Sequence, residues 1–280
     1  MLKILLLLLF CSSAWAASLP QALPVPGGII EIPLTESEHP PKVYYYDRRV
    51  LVTRQGDGWL AIVGIPLSAK PGTDKIHVVE ADRQYDISFQ IANKDYPEQR
   101  LIIKKKRMVT GFTKEDLAKI KADKIEMAKA KAVWSEAPAA LDFLTPVDGR
   151  LSSRFGLKRF FNDIPKRPHN GLDIAAPTGT PILAPTTAKV INTGHYYFNG
   201  NTVFLDHGQG LLSAYLHMNK ISVKPGDIVE QGQQIGTVGS TGRVTGPHLH
   251  WIVYLNKTPV DPALFIADDI ARLDARNKNR

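Results

Sequence analysis

The sequence is almost free of cysteine, because its 280 residues contain a single one, Cys11, inside an apolar N-terminal segment. A chain from which that segment is removed can form no disulfide and no thiolate metal site, so histidine, aspartate and glutamate remain as candidate ligands. Long apolar runs are also absent beyond that segment, since no later run approaches the ~20 residues of a transmembrane helix. The rest of the chain is therefore expected to be soluble.

Residues 1–16 have the pattern of a secretory signal peptide. Lys3 precedes an apolar run from Ile4 to Phe10, and Ala14-Trp15-Ala16 offers the small residues of a cleavage site. The apolar run is too short to span a bilayer as a stable helix. We therefore expect cleavage after Ala16 and an exported protein, located in the periplasm or outside the cell at the wall.

Positive charge is unevenly distributed along the chain, whose formal net charge is +8. Residues 17–103 carry nine Lys/Arg against eleven Asp/Glu, residues 104–131 carry ten against four, and residues 147–267 carry eleven against seven. A basic exported protein meets anionic partners, whereas a nucleic-acid partner is not expected without a binding motif. One basic cluster consists of Lys104, Lys105, Lys106 and Arg107. It is a candidate contact for an anionic wall polymer, and the alternative interpretation is a charged helix face that is only solvated.

Turn residues and apolar runs divide the chain into regions. Short β-rich runs between turn clusters predict a small β-sandwich-like domain in residues 17–103, with a regulatory or positioning role. A helix capped by Thr113 dominates a basic connector and linker, residues 104–145. Frequent glycine argues against long helices in residues 146–267 and predicts antiparallel β-sheets there. The fold class is therefore mainly β, with a charged tail in residues 268–280.

Histidines recur in strand-like and turn-like contexts of the C-terminal half. His248 and His250 lie one residue apart on a run rich in Trp, Ile, Val and Tyr. Because alternate side chains of a strand share a face, both rings are expected to point the same way, about 6.5 Å apart along the backbone. Further upstream, His169 and Asp173 flank an Asn-Gly pair whose turn brings imidazole and carboxylate together.

A third segment, Leu212 to Met218, alternates apolar with other residues, and this period of two predicts that Tyr215 and His217 share one face. Two imidazole nitrogens and one carboxylate oxygen are a common zinc set. Three protein ligands leave the fourth position open for water, which is typical of a catalytic site. Spacing alone does not choose between His248 and His250 as the ligand.

The motifs His169-x-x-x-Asp173, Tyr215-x-His217 and His248-Leu-His250 resemble, in this order, those of LytM/lysostaphin-type zinc metallopeptidases. The resemblance covers about residues 146–266 and is closest to exported murein DD-endopeptidases, so it implies a zinc metallopeptidase domain over residues 146–267. It implies one Zn²⁺ per chain with three metal ligands and two catalytic histidines. The implied ligands are His169, Asp173 and His250, and the implied catalytic residues are His217 and His248.

The resemblance also implies a function and its alternatives. An enzyme of this kind hydrolyses peptide cross-links of bacterial peptidoglycan, with stem peptides as substrate and bonds from D-Ala to a diamino acid as the expected target. One alternative is a non-catalytic LytM-type activator of other cell-wall hydrolases, although the complete ligand set argues against it. The other is a glycyl-glycine endopeptidase, which shares the mechanism and differs in substrate.

Four further residues are candidate substrate contacts. Tyr215 belongs to the histidine-bearing strand, Arg154 offers a guanidinium for a substrate carboxylate, and Asn170 and Asn201 offer hydrogen bonds to a peptide backbone. We also hypothesise that the N-terminal domain, which is net acidic, folds back over the metal groove of the basic C-terminal half and restrains its activity.

Overall fold

The computed structural model describes residues 19–104 and 106–275. The predicted signal peptide, Lys105, the Lys106 side chain and the end of the charged tail lie outside the described residues. Within these ranges the protein is mainly β, with two α-helices and sheets that are almost entirely antiparallel, so the predicted fold class is confirmed. Neither of the two described α-helices combines the length and the apolar composition that crossing a membrane requires.

The N-terminal region is a sandwich of two antiparallel sheets. Its strands are β1 (Ile29–Leu34), β2 (Lys42–Tyr45), β3 (Arg48–Arg49), β4 (Leu51–Gln55), β5 (Gly58–Gly64), β6 (Gly72–Val79) and β7 (Gln84–Ile91). One sheet has the order β1-β5-β4 and the other β3-β2-β6-β7. Inward side chains of both sheets, among them Ile32, Val63, Tyr45 and Ile76, form one buried cluster.

Strand β5 is apolar on both faces because its sheet is covered twice. Ala61 and Val63 face the second sheet of the sandwich, whereas Leu60 and Ile62 belong to a larger core shared with the C-terminal region. The side-chain amide of Asn256 fixes this docking, since it accepts from the Gly64 N–H at 2.7 Å and donates to the Gly64 carbonyl at 2.9 Å. The sandwich is thus held against the C-terminal region by both apolar burial and buried hydrogen bonds.

The connecting region contains a short strand, a 3₁₀ turn and a helix. These are β8 (Glu98–Leu101), Lys106–Met108 and α1 (Lys114–Lys131). As predicted, Thr113 is the N-cap: its side chain accepts from the Asp116 N–H, and the Asp116 carboxylate accepts from the Thr113 N–H at 3.1 Å. Arg107 pairs with the same carboxylate at 2.7 Å, so this member of the basic cluster already has an acidic partner.

The strands of the C-terminal region are β9 (Arg150–Ser153), β10 (Lys158–Phe161), β11 (Ile164–Pro165), β12 (Leu172–Ala175), β13 (Pro181–Leu183), β14 (Ala188–Tyr196), β15 (Gly200–Asp206), β16 (Leu212–Met218), β17 (Lys220–Ile221), β18 (Ile228–Val229), β19 (Gln234–Thr237), β20 (Leu249–Leu255) and β21 (Thr258–Val260). The region is built around an eight-stranded antiparallel sheet of order β18-β14-β15-β16-β20-β12-β9, with β21 paired to β20. Smaller sheets have the orders β13-β19-β17 and β11-β10-β8, and in the latter β8 runs parallel to β10. A 3₁₀ turn, Pro262–Phe265, and helix α2 (Ala267–Ala275) follow.

The two faces of the large sheet have different coverings. Tyr215 pairs with Trp251 across β16 and β20, and both side chains enter the core shared with the sandwich. Leu216 pairs with His250 and points to the other face, where Leu216 packs in the cluster that Ala130 of α1 completes. The face that carries His250 is therefore opposite to the face on which the sandwich docks.

Candidate metal centre

Three donor atoms converge at one end of the large sheet. Asp173 and His250 are a cross-strand pair on β12 and β20, and His169 lies in the loop that leads into β12. His250 Nδ1 is 2.6 Å and His169 Nε2 is 3.0 Å from Asp173 Oδ1, and the two nitrogens are 3.0 Å apart. This arrangement is a candidate metal site in which each residue offers one ligand atom. Two imidazole nitrogens and one carboxylate oxygen fit a zinc ion with an open position.

A backbone hydrogen bond orients the His169 ring. His169 Nδ1 donates to the Arg154 carbonyl at 2.6 Å, which leaves Nε2 as the nitrogen with a free lone pair facing the other donors. Such a carbonyl contact behind a ligating imidazole fixes its tautomer and its orientation. The side of the ring that faces the cluster therefore presents Nε2 to the other two donors.

Burial favours the protonation states that a metal site requires. It lowers the pKa of His250 to about 4, although the Asp173 carboxylate opposes this change. Burial opposes ionisation of Asp173, but the adjacent His169 and His250 rings outweigh it, so the pKa of Asp173 lies well below its ordinary value. At neutral pH the cluster thus combines a carboxylate with a neutral imidazole at His250, which are the forms that bind metal.

Close packing of the loop before β12 depends on glycine. A Cβ on Gly171 would lie 2.3 Å from the Trp251 carbonyl oxygen, which belongs to the backbone of β20. Because that oxygen is fixed by the sheet, no side chain fits at this position without displacing the strand that carries His250. Gly171 is therefore required for His169 and Asp173 to approach β20.

Replacing Gly171 with alanine is expected to lower the stability of the fold. Overpacking against fixed backbone costs about 1–3 kcal/mol, and this corresponds to a fall in Tm of roughly 2–12 °C for a domain of this size. Thermal unfolding of the zinc-free protein measures the effect. Gly246→Ala is the matched control, because nothing lies within 4 Å of a Cβ at Gly246. Equal Tm values for the two variants would contradict the packing argument.

Two further histidines lie beside the donor cluster. The ring centroid of His217 is 5.0 Å from that of His248 and 6.0 Å from that of His250. His217 Nδ1 donates to the Thr241 carbonyl at 2.9 Å and His248 Nδ1 to the Gly246 carbonyl at 2.8 Å, which leaves Nε2 of each ring with a lone pair. Burial, together with the neighbouring His248 and His250, lowers the pKa of His217 well below 6.5.

Comparisons with known proteins identify the family. The profile of the family described as Peptidase family M23 matches residues 167–262, and that of the Peptidase family M23 N-terminal domain matches residues 22–94. The crystal structure of a peptidase M23 protein from Pseudomonas aeruginosa aligns at 43% identity with a TM-score of 0.75, over 87% of this chain and 95% of that one. The chain belongs to peptidase family M23. The resemblance inferred from the histidine motifs is thereby confirmed.

Curated relatives of this M23 chain include two with assigned names. Peptidoglycan DD-endopeptidase ShyA of Vibrio cholerae is 44% identical over 120 residues, which are 41% of this chain and 28% of that protein. DD-carboxypeptidase/endopeptidase Mpg of Neisseria meningitidis is 41% identical over 113 residues, which are 40% of this chain and 26% of that protein. The aligned part is thus between a quarter and a third of the length of these relatives.

One sequence prediction about the M23 chain is wrong, namely that Tyr215 and His217 share a face of β16. His217 has a backbone φ of 64°, a left-handed conformation that breaks the alternation of the strand and turns its ring toward His248 and His250. Tyr215 is fully buried on the opposite face, and its hydroxyl bonds to the Ser213 hydroxyl at 2.8 Å. Tyr215 is therefore a core residue and is not placed to touch a substrate.

The other predicted substrate contacts have structural partners nearby. The Arg154 guanidinium pairs with Asp274 of α2, so only the Arg154 carbonyl reaches the metal cluster. The Asn201 side-chain amide donates to the carbonyls of Met218 and Asn219, both at 3.1 Å, and thereby closes the turn after His217. Asn170 is half-buried beside His169.

Sequence reasoning missed Arg159, whose guanidinium contacts the candidate metal ligand Asp173. Its Nη2 donates to Asp173 Oδ2 at 2.6 Å, and its Nε donates to Gln99 Oε1 at 3.0 Å. The Arg159 side chain is 15% exposed. By holding Oδ2, it leaves Oδ1 of Asp173 for the two imidazoles. No motif marks this residue, because its position follows from the β10–β11 hairpin folding over the site.

Residues 98–104 and 106–113, here called the strap, lie along that hairpin on one side of the candidate metal donors. Strand β8 pairs with β10 in parallel register. After this strand, Ile103 and Val109 are buried together with Phe161 of β10. The strap is therefore attached to the hairpin by backbone pairing and by an apolar cluster.

The strap also contacts the loop on the other side of the cluster. The Phe112 ring packs edge-on against Tyr197 and Phe198, with centroids 6.2 and 5.9 Å away. The same loop contacts the backbone of His217 directly, because the Asn199 carbonyl accepts from the His217 N–H at 2.9 Å. The strap thus bridges the two walls that flank the histidines.

The candidate metal ligands and the neighbouring His217 are accordingly withdrawn from solvent. The exposed fractions of His169, His250 and His217 are 1%, 5% and 8%. The sandwich of the predicted N-terminal domain docks on the opposite face of the sheet and does not fold over the metal donors, whereas the end of that predicted domain, residues 98–103, lies beside them. The strap, which connects the sandwich to α1, takes that place instead.

Proposed function

We propose that this chain is an exported zinc metalloendopeptidase that hydrolyses peptide cross-links of bacterial peptidoglycan. The observation that carries the proposal is the convergence of His169, Asp173 and His250 within hydrogen-bond distance of one another, with two more histidines beside them. Relatives named as peptidoglycan DD-endopeptidases support the substrate class. The bond between D-Ala and a diamino acid rests on the resemblance of the histidine motifs to those of exported murein DD-endopeptidases. Export rests on the signal-peptide pattern of residues 1–16.

In this mechanism His169, Asp173 and His250 would hold one Zn²⁺. The ion would supply Lewis-acid chemistry, activating a water nucleophile and polarising the scissile carbonyl. Arg159 keeps Asp173 Oδ2 engaged at 2.6 Å, so that the carboxylate offers Oδ1 alone. The Arg154 carbonyl holds the His169 ring in the orientation that presents Nε2.

His217 and His248 would move protons during the reaction. Each ring donates its Nδ1 proton to a backbone carbonyl, so Nε2 is the atom that accepts or returns a proton. Hydrolysis of an amide needs a base for the attacking water, an acid for the leaving amine and a hydrogen bond to the developing oxyanion. We assign these tasks to the two Nε2 atoms.

The polymer contact through the basic cluster is a secondary part of the proposal. Arg107 is paired with Asp116, so any attraction to an anionic wall polymer would depend mainly on the lysines of the cluster, beginning with Lys104. Such a contact would increase retention on the wall and would weaken with ionic strength.

Product analysis tests the proposed activity. The zinc-loaded protein is incubated with purified sacculi whose stem peptides are cross-linked through a diamino acid, and the released products are identified by mass. Cleavage between D-Ala and the diamino acid is the expected result. Sacculi with pentaglycine bridges serve as the second substrate, and selective cleavage of those bridges would replace the proposed bond with a glycyl-glycine bond.

Opening of the strap is expected to increase this activity. Val109 is buried against Ile103 and Phe161, so Val109→Asp places a charge in an apolar cluster and releases the strap from the hairpin. Because the closed strap restrains substrate access, its release is expected to raise kcat/KM on cross-linked substrate on the order of tenfold. Ile102→Asp is the control, because Ile102 is 73% exposed on the same segment. If the Val109→Asp variant stays folded and is no more active than Ile102→Asp, the strap does not restrain the enzyme.

A further inference from the structure

Two arginines lie near the metal donors, and the strap supplies an oxygen to each. Arg159 Nε donates to Gln99 Oε1 at 3.0 Å, and Arg243 Nη1 donates to the Met108 carbonyl at 3.2 Å. Both acceptors are neutral oxygens of the strap. Each guanidinium therefore binds an oxygen of the strap, and an oxygen of a bound peptide can take the place of that strap oxygen.

The two guanidiniums lie near each other, beside strand β10. Arg159 and Phe161 are two residues apart on β10 and so share a face of that strand. The Arg243 guanidinium lies over the Phe161 ring at 4.8 Å and over the Phe198 ring at 4.3 Å, so it is sandwiched between the two walls. Burial, reinforced by the nearby charge of Arg159, lowers the pKa of Arg243 to about 10.

The charge of Arg243 is not neutralised within the part of the chain that the structure describes. Arg159 has the Asp173 carboxylate as its ion-pair partner, whereas no Asp or Glu of the described residues lies within ion-pair distance of Arg243. Two aromatic faces and one carbonyl stabilise a partly buried cation, but they leave most of its N–H groups without an anionic acceptor. A partly buried cation of this kind gains most from a carboxylate, which binds a guanidinium through two parallel hydrogen bonds.

The proposed substrate carries such a group next to the bond that is cut. In a cross-link from D-Ala to a dicarboxylic diamino acid, the carbon attached to the scissile nitrogen also bears a free carboxylate. This step rests on the proposed function. We propose that Arg243, with Arg159 beside it, forms the subsite for that carboxylate, and that the Met108 and Gln99 oxygens of the strap occupy the subsite when no substrate is bound.

The test compares two cross-linked muropeptide dimers that differ in one group, the free carboxylate of the diamino acid or its carboxamide. The wild-type chain is expected to hydrolyse the carboxylate form with at least a tenfold higher kcat/KM. The free energy needed to open the strap is the same for both dimers, so it cancels in the ratio of their kcat/KM values. Arg243→Gln is expected to bring the ratio close to one, while Arg243→Lys retains part of the preference through its charge.

Arg272→Gln is the matched control, because Arg272 lies on α2 and pairs with Asp269. It should keep the wild-type ratio. The terminal D-Ala carboxylate is a second negative charge in the substrate. A dimer in which that carboxylate is amidated separates its effect from the effect of the diamino-acid carboxylate. A wild-type preference that depends on the terminal carboxylate, an absence of any preference, or an unchanged preference in Arg243→Gln would each overturn the proposal.

A binding measurement separates this proposal from the proposed function. Uncross-linked stem peptides with the free carboxylate or the carboxamide are titrated calorimetrically into the zinc-loaded full chain, where no bond is cut. A tenfold difference in Kd that Arg243→Gln removes would support the subsite even if neither dimer were hydrolysed, and the peptidase function alone would then fail. Hydrolysis of both dimers at one rate, with equal Kd values, would leave the function standing and overturn the subsite.

Discussion

Replacing Asp173 with alanine is expected to abolish zinc binding and hydrolysis together. The substitution removes one of the donors of the cluster and leaves the Arg159 guanidinium, now without its carboxylate, next to two imidazoles. Loss of even an indirect partner of a metal ligand costs about 10–100-fold in metal affinity, so loss of the ligand itself is expected to cost at least about 100-fold. Because a bound metal supplies several kcal/mol of transition-state stabilisation, we expect the rate of cross-link hydrolysis to fall by a factor on the order of 10³.

Zinc content after dialysis and initial rates on a cross-linked dimer measure this effect. Asp47→Ala is the control, since the Asp47 side chain is 91% exposed in the sandwich and distant from the cluster. Asp173→Asn is measured as a second variant, because it keeps the shape of the side chain and one oxygen but removes the charge. One zinc per chain and undiminished turnover in Asp173→Ala would remove Asp173 from the metal site.

His217→Ala is expected to separate metal binding from turnover. The His217 ring lies 6.0 Å from the His250 ring and takes its orientation from the Thr241 carbonyl, so its removal leaves the three donor atoms in place. Loss of a general acid or base lowers the rate by about 10²–10⁴-fold. The variant should therefore retain one zinc per chain, and the decrease should appear in kcat more than in KM.

The control for this variant is His39→Ala, because His39 is an exposed histidine of the sandwich region. The comparison uses the zinc-loaded forms of both variants on the same substrate. Loss of zinc in His217→Ala would make His217 part of the metal site, and wild-type turnover would remove it from the mechanism.

The sequence motifs predicted the composition of the candidate site better than its geometry. The alternation of His248 and His250 correctly places both rings beside the cluster, since His248 Nε2 lies 3.8 Å from Asp173 Oδ1. The choice of His250 as the closer donor follows from its pairing with Asp173 across two strands that are far apart in sequence. Spacing within one strand carries no information about that register.

Local departures from ideal strands explain the errors. The left-handed φ of His217 reverses the direction of its side chain relative to Tyr215, and no residue type in the segment signals this, because glycine is the usual marker of positive φ. Strand β1 contains Pro33, which has no backbone N–H to donate and therefore argues against a strand in the interior of a sheet. In the structure β1 lies at the edge of its sheet, where proline is tolerated.

The strap was unpredictable for a different reason. Its strand β8 is short and polar, and it forms only through parallel pairing with β10, which lies some sixty residues later in the chain. Short polar strands have no periodic apolar signal, and parallel partners are specified by tertiary contacts. Contacts of Gln99 and Met108 with the two groove arginines therefore become visible only in the folded chain.

The most direct test of the account is a zinc titration of the metal-free full-length chain, with hydrolysis of a cross-linked muropeptide dimer followed at each step. We predict that the rate rises linearly with added zinc and levels off at one zinc per chain, and that the Asp173→Ala protein shows no such rise. Hydrolysis by the metal-free chain at the full rate, or the same titration curve for Asp173→Ala, would contradict a zinc peptidase centred on His169, Asp173 and His250.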